Sequence, residues 1–224
     1  DNSIEIELKK KIMKQLQRYT LSMIFVFLIF SCNTSEKKKV PQMDERTQVQ
    51  STQNYSVDTT GVSIKWTAYK FTEKLGVSGI FDQFALNLKN DHGSLETLLE
   101  DAELTINTVS VNTGNEIRDP KLRTFFFQVF HTDTIFGKIL DTEEGKEALE
   151  LKMNNITNDV AYTYSLKNDT LIMTTHIDVM QWNGTEALKS LNKECYEVHT
   201  GIDGVSKLWP DVDVVLKLPI KTDL

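Results

Sequence analysis

The side chains able to do chemistry in this chain are few and far apart. Its four histidines stand at positions 92, 131, 176 and 199, and its two cysteines at 32 and 195. His176 and Asp178 share one face of an alternating stretch, a pairing that can serve a metal or orient a general base. They lie opposite the dry Met173-Thr175-Ile177 face, however, and are expected to face water. Cys195 and His199 are close in sequence, yet Cys195 belongs to the apolar stripe of a helical pattern and reads as a buried thiol rather than a nucleophile. Asp211 and Asp213 share a wet strand face and read as solvated charges. There is no G-x-S-x-G elbow, no P-loop, no C-x-x-C and no H-E-x-x-H. No enzyme, cofactor or metal site is expected.

The elements that would position any site are strands. Ile64, Trp66 and Ala68 alternate with polar residues, as do Phe84, Leu86 and Leu88, then Leu104 and Ile106, then Leu149, Leu151 and Met153. Val160 to Leu166, Leu171 to Val179 and Val212 to Leu218 continue the same period of two, the mark of antiparallel strands with one dry face. Asn168-Asp169 between two of them suits a tight hairpin. Two helices interrupt the strands. In the first, Asp119-Pro120 reads as an N-cap and first helical position, with Leu122, Phe125, Phe126 and Val129 on one face. In the second, Asn183-Gly-Thr-Glu186 resembles a capping box, and Ala187, Leu188, Leu191 and Cys195 follow as its dry face. A sheet of this kind can close around its own side chains or around a cavity, and alternation does not distinguish the two.

Composition bounds the partners. The 224 residues carry a formal net charge of −7, which excludes a basic nucleic-acid surface. From Met13 the chain reads as a secretory signal: Lys14 and Arg18, then the apolar run Leu21–Phe30 of about ten residues, where a membrane span needs about twenty. Met13 is read as the true start and Asp1–Ile12 as an upstream extension of the reading frame. Ile29-Phe30-Ser31-Cys32 resembles a lipobox, so Cys32 is the expected acylation site, anchoring the chain to a membrane. Cys195 is then left without a partner for an internal disulfide. Residues 1–31 are thus extension and signal, and 32–54 form a polar tether of about 22 residues with a reach of roughly 25 Å. The folded barrel is expected over 55–224.

One stretch carries a family likeness. Ser110-Val111-Asn112-Thr113-Gly114-Asn115, then Arg118-Asp119, Leu122-Arg123 and the run Phe125–Phe127 resemble the signature of YceI-like proteins, with His131-Thr132 where that family usually has a proline. The resemblance extends more weakly from about Tyr55 to Leu218. It implies a mainly β fold: a lipocalin-like antiparallel β-barrel of about eight strands with two short helices, binding polyisoprenoids or related lipids in a bacterial envelope, on the periplasmic or outer-membrane side. It also favours a hollow interior.

On that basis the expected cavity residues are Ile64 and Trp66; Phe81, Phe84 and Leu86; Ile106; Leu122, Phe125 and Phe126; and Phe136, Tyr162 and Tyr164. An apolar wall of this kind suits an isoprenoid, polyprenyl or quinone-like chain, because a sugar or nucleotide would bury unmatched polar groups at a few kcal/mol each. Arg118 and Arg123 are headgroup candidates, or else structural ties that hold the helix over the opening. The competing expectation is the same barrel with a filled interior, acting as an interaction module in envelope stress or assembly.

Overall fold

A computed structural model describes residues 53–223. The signal segment, Cys32 and nearly all of the tether lie outside the described residues. Strands β1 (Tyr55–Val57), β2 (Ser63–Lys70), β3 (Leu75–Phe81), β4 (Phe84–Asn87) and β5 (His92–Gly93) lead to helix α1 (Leu95–Leu99). Strands β6 (Glu103–Asn107) and β7 (Val111–Asn112) precede helix α2 (Arg118–Lys121), which continues as a π-helical stretch, Leu122–Phe127. Strands β8 (Thr134–Asp141), β9 (Ala148–Met153), β10 (Ile156–Lys167) and β11 (Thr170–Asp178) follow, then helix α3 (Thr185–Glu194) and strand β12 (Leu208–Thr222). Among the described residues every strand pairing is antiparallel, in the order β4-β6-β8-β9-β10-β11-β12-β2-β3-β7.

The two ends of that order are pieces of one strand pair. β3 runs into β4, and β6 runs into β7. Ile80 faces Asn112 and Phe81 faces Val111, while three residues later Phe84 faces Ile106. The break between is bridged by Asp82 N–H to Ser110 O at 3.1 Å, Asn107 N–H to Gln83 O at 3.0 Å and Gln83 N–H to Ser110 Oγ at 2.9 Å. The ten strands of the path are therefore eight continuous ones, closed on themselves. A 3₁₀ turn at Thr108–Ser110 supplies the extra residues on one side of the break, which acts as a bulge and bends the wall.

Local chemistry explains the corners. Asn168 and Asp169 have φ of 48° and 54°, and Asn154 and Asn155 have 47° and 58°. Paired positive φ is what an I′ hairpin turn demands, and Asn and Asp tolerate it best. β12 bulges where it leaves β2: Leu208 faces Lys70, but the next pair is Val212 with Ala68.

Three expectations about helices are corrected. Asp119 does not cap α2. The helix begins at Arg118, two residues before the expected first position, and Asn115 Oδ1 accepts from the N–H groups of Ile117 (3.0 Å) and Arg118 (2.9 Å). Pro120 is tolerated there because N–H groups of the first turn have no intrahelical acceptor. Asn183 does not cap α3 either: at φ 60° it ends the preceding 3₁₀ turn Val179–Trp182, and Gly184 takes the N-cap position. α1 makes a third helix where two were expected. It is held by Ser94, whose hydroxyl accepts from Thr97 N–H at 3.3 Å.

Candidate functional site

Inside the barrel lies a cavity of about 230 Å³ with an almost wholly apolar wall. An engineered apolar cavity of about 150 Å³ already stays dry and takes up benzene, so this space is large enough for part of a hydrocarbon chain. β12 marks its length. Leu208 and Pro210 line the end beside α3, and Leu218 lines the end under α1, about 33 Å of strand apart at the usual rise. At the α1 end the wall is shut: Leu99 and Leu218 are each 1% exposed. At the other end Leu122, Phe126, Phe127 and Leu188 are all only half-buried.

Of the residues expected at the cavity, Ile64, Trp66, Phe81, Leu86, Ile106, Leu122, Phe126 and Tyr162 are on its wall. Phe84, Phe125, Phe136 and Tyr164 are not. Phe84 packs on the Ile64–Phe81–Ile106–Val111 cluster beside the strand break. Phe136 is out of phase with Ile135, Gly137 and Ile139, the uncharged β8 residues on the wall. Tyr164 lies past the shut end, packed on the α1 cluster, with its hydroxyl donating to Glu96 Oε1 at 3.2 Å. Burial pushes its phenol up to about 12.

The 3.6-residue period predicts Phe125 on the wall, and the chain does not keep that period here. Gln128 N–H donates to Arg123 O, and Thr132 N–H to Phe127 O, each five residues back. In a π-helical turn the residue five after Leu122 comes round to its face. Phe127 thus takes a place on the wall that the ordinary helical period gives to Phe125. Phe127 stands edge-on to Phe81 and to Phe126, with centroids 6.0 and 5.2 Å away.

Trp66 carries an oddity. Its Nε1 is buried without a hydrogen-bond partner, alone in this among the side chains of the described residues. The indole lies over Gly79, where a Cβ would fall 2.4 Å from Trp66 Cζ2. The bare backbone of Gly79 admits the ring, and the ring covers that stretch of sheet.

The headgroup candidates separate. Arg123 Nη1 donates to Val111 O at 3.4 Å, tying the π-helical stretch to β7. Arg118 makes no side-chain hydrogen bond or ion pair among the described residues. The polar pairs elsewhere are structural. His176 Nδ1 is 2.6 Å from Asp213 Oδ1, Tyr69 donates to the other oxygen of Asp213, and Lys74 Nζ is 2.7 Å from Asp211 Oδ2. Asp211 and Asp213 are therefore partnered rather than simply solvated. Burial pushes the Cys195 thiol up, and His199 faces Asn192 Oδ1 at 3.0 Å rather than the sulfur. Among the described residues no His, Cys, Asp or Glu group is placed to hold a metal, and no helix is long and apolar enough to cross a membrane.

The model of the YceI-like domain matches residues 55–218. The chain belongs to the YceI-like family. Among solved structures, a polyisoprenoid binding domain from Saccharophagus degradans, implicated in plant cell wall breakdown, is similar at 14% identity and a TM-score of 0.54. That match covers 75% of this chain and 98% of the other. Burkholderia cenocepacia BcnA is 13% identical with a TM-score of 0.49, over 74% and 99% of the two chains. A Campylobacter jejuni YCEI protein is 15% identical with a TM-score of 0.43, over 69% and 90%. No curated protein matches. At 14% identity the match to the S. degradans domain shows the fold alone, and that fold agrees with the closure read from the strand registers.

Proposed function

We infer that this YceI-like barrel holds a long apolar molecule, an isoprenoid such as a polyprenyl or quinone-like lipid, and acts by binding rather than by catalysis. The observation that carries this reading is the cavity: about 230 Å³, shut at the α1 end and walled almost entirely by hydrocarbon. Such a wall offers almost no hydrogen bonds to a polar metabolite, whereas a hydrocarbon chain has none to lose. Burying ten of its carbons contributes on the order of 8 kcal/mol before entropic losses. Two further supports are family membership and the S. degradans neighbour described as a polyisoprenoid binding domain. The lipobox-like Ile29-Phe30-Ser31-Cys32 supports a lipid-anchored protein of the bacterial envelope, tethered through acylated Cys32. Native mass spectrometry of the chain purified from bacterial lysate tests the reading. Co-purified lipid of defined mass is expected, and a barrel that stays empty with added isoprenoid as well would refute it.

A further inference from the structure

The segment Tyr196–Lys207, which joins α3 to β12, is folded on itself and yet keeps its apolar side chains in water. Thr200 and Ser206 form an antiparallel bridge. Gly201 N–H donates to Val205 O and Lys207 N–H to His199 O, at 3.0 and 3.1 Å. Tyr196 O accepts from the hydroxyls of Thr200 and Ser206, at 2.7 and 3.1 Å. At the tip of this tied loop Ile202 is 100% exposed, and Tyr196, Val198 and Val205 are exposed as well. Two neighbouring corners extend the apolar face. The β2–β3 hairpin is fastened to the loop by Lys70 Nζ to Val198 O at 2.8 Å and Thr72 Oγ1 to Asp203 Oδ2 at 2.6 Å, and its Leu75 is exposed. α2 is fastened to the end of α3 by Lys121 Nζ and Glu194 Oε1 at 3.1 Å, and Ile117, just before α2, is 75% exposed.

Charge and reach bear on what covers this face. Residues 70–75, 116–121 and 193–207 together hold six Lys or Arg and six Asp or Glu, so this end is neutral in a chain whose net charge is −7. Aliphatic side chains on a protruding tip, with tyrosine and lysines beside them, are what the interfacial layer of a bilayer accommodates. A protein partner instead needs a patch it can pack against at interior density. Residues 33–54 reach at most about 75 Å when extended, against roughly 50 Å for the whole of β12. They join the barrel where Tyr55 pairs with Thr222, at the end of β12 away from Leu208. A barrel tethered through Cys32 is thus free to lay the loop end on the membrane that anchors it.

We propose that the loop Tyr196–Lys207, flanked by Leu75 and Ile117, is a membrane-contact face that rests in the interfacial layer of a zwitterionic bilayer. The inference is separate from what the cavity holds, and it uses the anchor at Cys32 only to bring a bilayer within reach. Seating the loop withdraws Ile202, Val205 and Val198 from water without breaking a hydrogen bond, since their side chains make none. Its neutrality spares it the repulsion that an acidic face would meet at lipid phosphates.

The test uses the chain expressed in bacteria with its own signal segment and reconstituted in phosphatidylcholine vesicles. An environment-sensitive fluorophore is attached at Ile202→Cys or, for comparison, at Lys167→Cys, an exposed position beside the Asn168-Asp169 turn. Flotation with the vesicles reads the anchor. Nitroxide-bearing lipid is expected to quench the label at 202 and to leave the label at 167 bright, with little dependence on salt because the face is neutral. Ile202→Asp/Val205→Asp, read through a label at Ile117→Cys, lowers the docking equilibrium about tenfold per residue, the factor that withdrawing one aliphatic side chain from water carries. Ile202→Leu/Val205→Leu retains it, and all these positions are exposed, so the fold is not at stake. A chain that floats while the label at 202 stays unquenched overturns the contact face and leaves the anchor standing. Equal quenching at 202 and 167 overturns it too, as no face is then preferred. So does a label at 202 that becomes shielded without vesicles as protein concentration rises, since that gives the face to a second copy of the chain. Failure to float removes the anchor and the proposal together.

Discussion

Asp119 Oδ1 accepts from both the backbone N–H and the hydroxyl of Thr113, at 3.0 and 2.6 Å. The carboxylate at the start of α2 therefore fastens the helix to the preceding turn, and the capping falls to Asn115. Asp119→Ala is expected to cost about 1–3 kcal/mol, since both bonds go to a charged acceptor that is half-buried. Asn115→Ala should cost about 0.5–2 kcal/mol as a lost cap. Urea midpoints at constant slope measure both. An unaffected Asp119→Ala variant would show that the turn holds without its carboxylate.

Gly79→Ala should be disruptive without any change of backbone region. Its new methyl falls 2.4 Å from Trp66 Cζ2 and 2.9 Å from Asn112 O, an overpacking that typically costs about 1–3 kcal/mol. Trp66 must move towards the cavity, so its near-ultraviolet circular dichroism should change together with the midpoint. At Gly114 nothing lies within 4 Å of an added Cβ, but φ is +67°, so Gly114→Ala should cost about 1 kcal/mol through backbone strain alone and leave the Trp66 signal intact.

Phe126 and Phe130 lie 5.3 Å apart by ring centroid but should respond differently. Phe130 also touches the cavity but is 2% exposed among packed neighbours, whereas Phe126 is only half-buried, and Phe130→Ala is expected to cost about 3–5 kcal/mol. Phe126 has cavity on one side, so Phe126→Ala should cost about 1–2 kcal/mol in the lipid-free protein. Added isoprenoid then stabilises the wild type more than the Phe126 variant, by mass action. Equal core-sized losses at both positions, with no shift on adding lipid, would mean that the interior is solid.

His199 and His176 should give opposite pH dependences. His199 is held at about 4 against an ordinary 6.5, so between those values the unfolded chain binds more protons than the folded one. Its contribution is present above pH 6.5 and is lost as pH falls towards 4, by up to about 3 kcal/mol. His176 is raised, chiefly by its hydrogen bond to Asp213. Its smaller contribution is present below 6.5 and is lost as pH rises through the folded value. Unfolding midpoints of His199→Gln and His176→Gln against wild type across pH 4 to 8 separate the two.

Cys32→Ser should abolish acylation and leave the signal segment uncleaved. Metabolic labelling with a clickable fatty acid reads this directly, and equal label on the variant would move the modification elsewhere.

Most of the wall was legible in period two. Ile64, Trp66, Leu86, Ile106 and Tyr162 all fall where alternation places them, because a strand with one dry face has only one way to hide it. Asn168-Asp169 was legible for the same local reason. What escaped was local geometry set by tertiary contacts. The π-helical stretch has no distinct sequence period, so the ordinary helical period points to Phe125 where Phe127 stands. α1 is only five residues long, too short for a stripe, and its one visible sign was Ser94.

β12 is the partner of β1, β2 and β11 alike. Pairs such as Lys65 with Val215 join segments 150 residues apart, and every such contact carries its loop-closure entropy before it gains anything. A growing chain can zip β8 to β11 as successive hairpins, yet β2 and β11 remain bare edges until Leu208–Thr222 has been synthesised. During that interval those edges are open to pairing with other chains. The last strand therefore sets the moment at which the molecule passes from an adhesive sheet to a container.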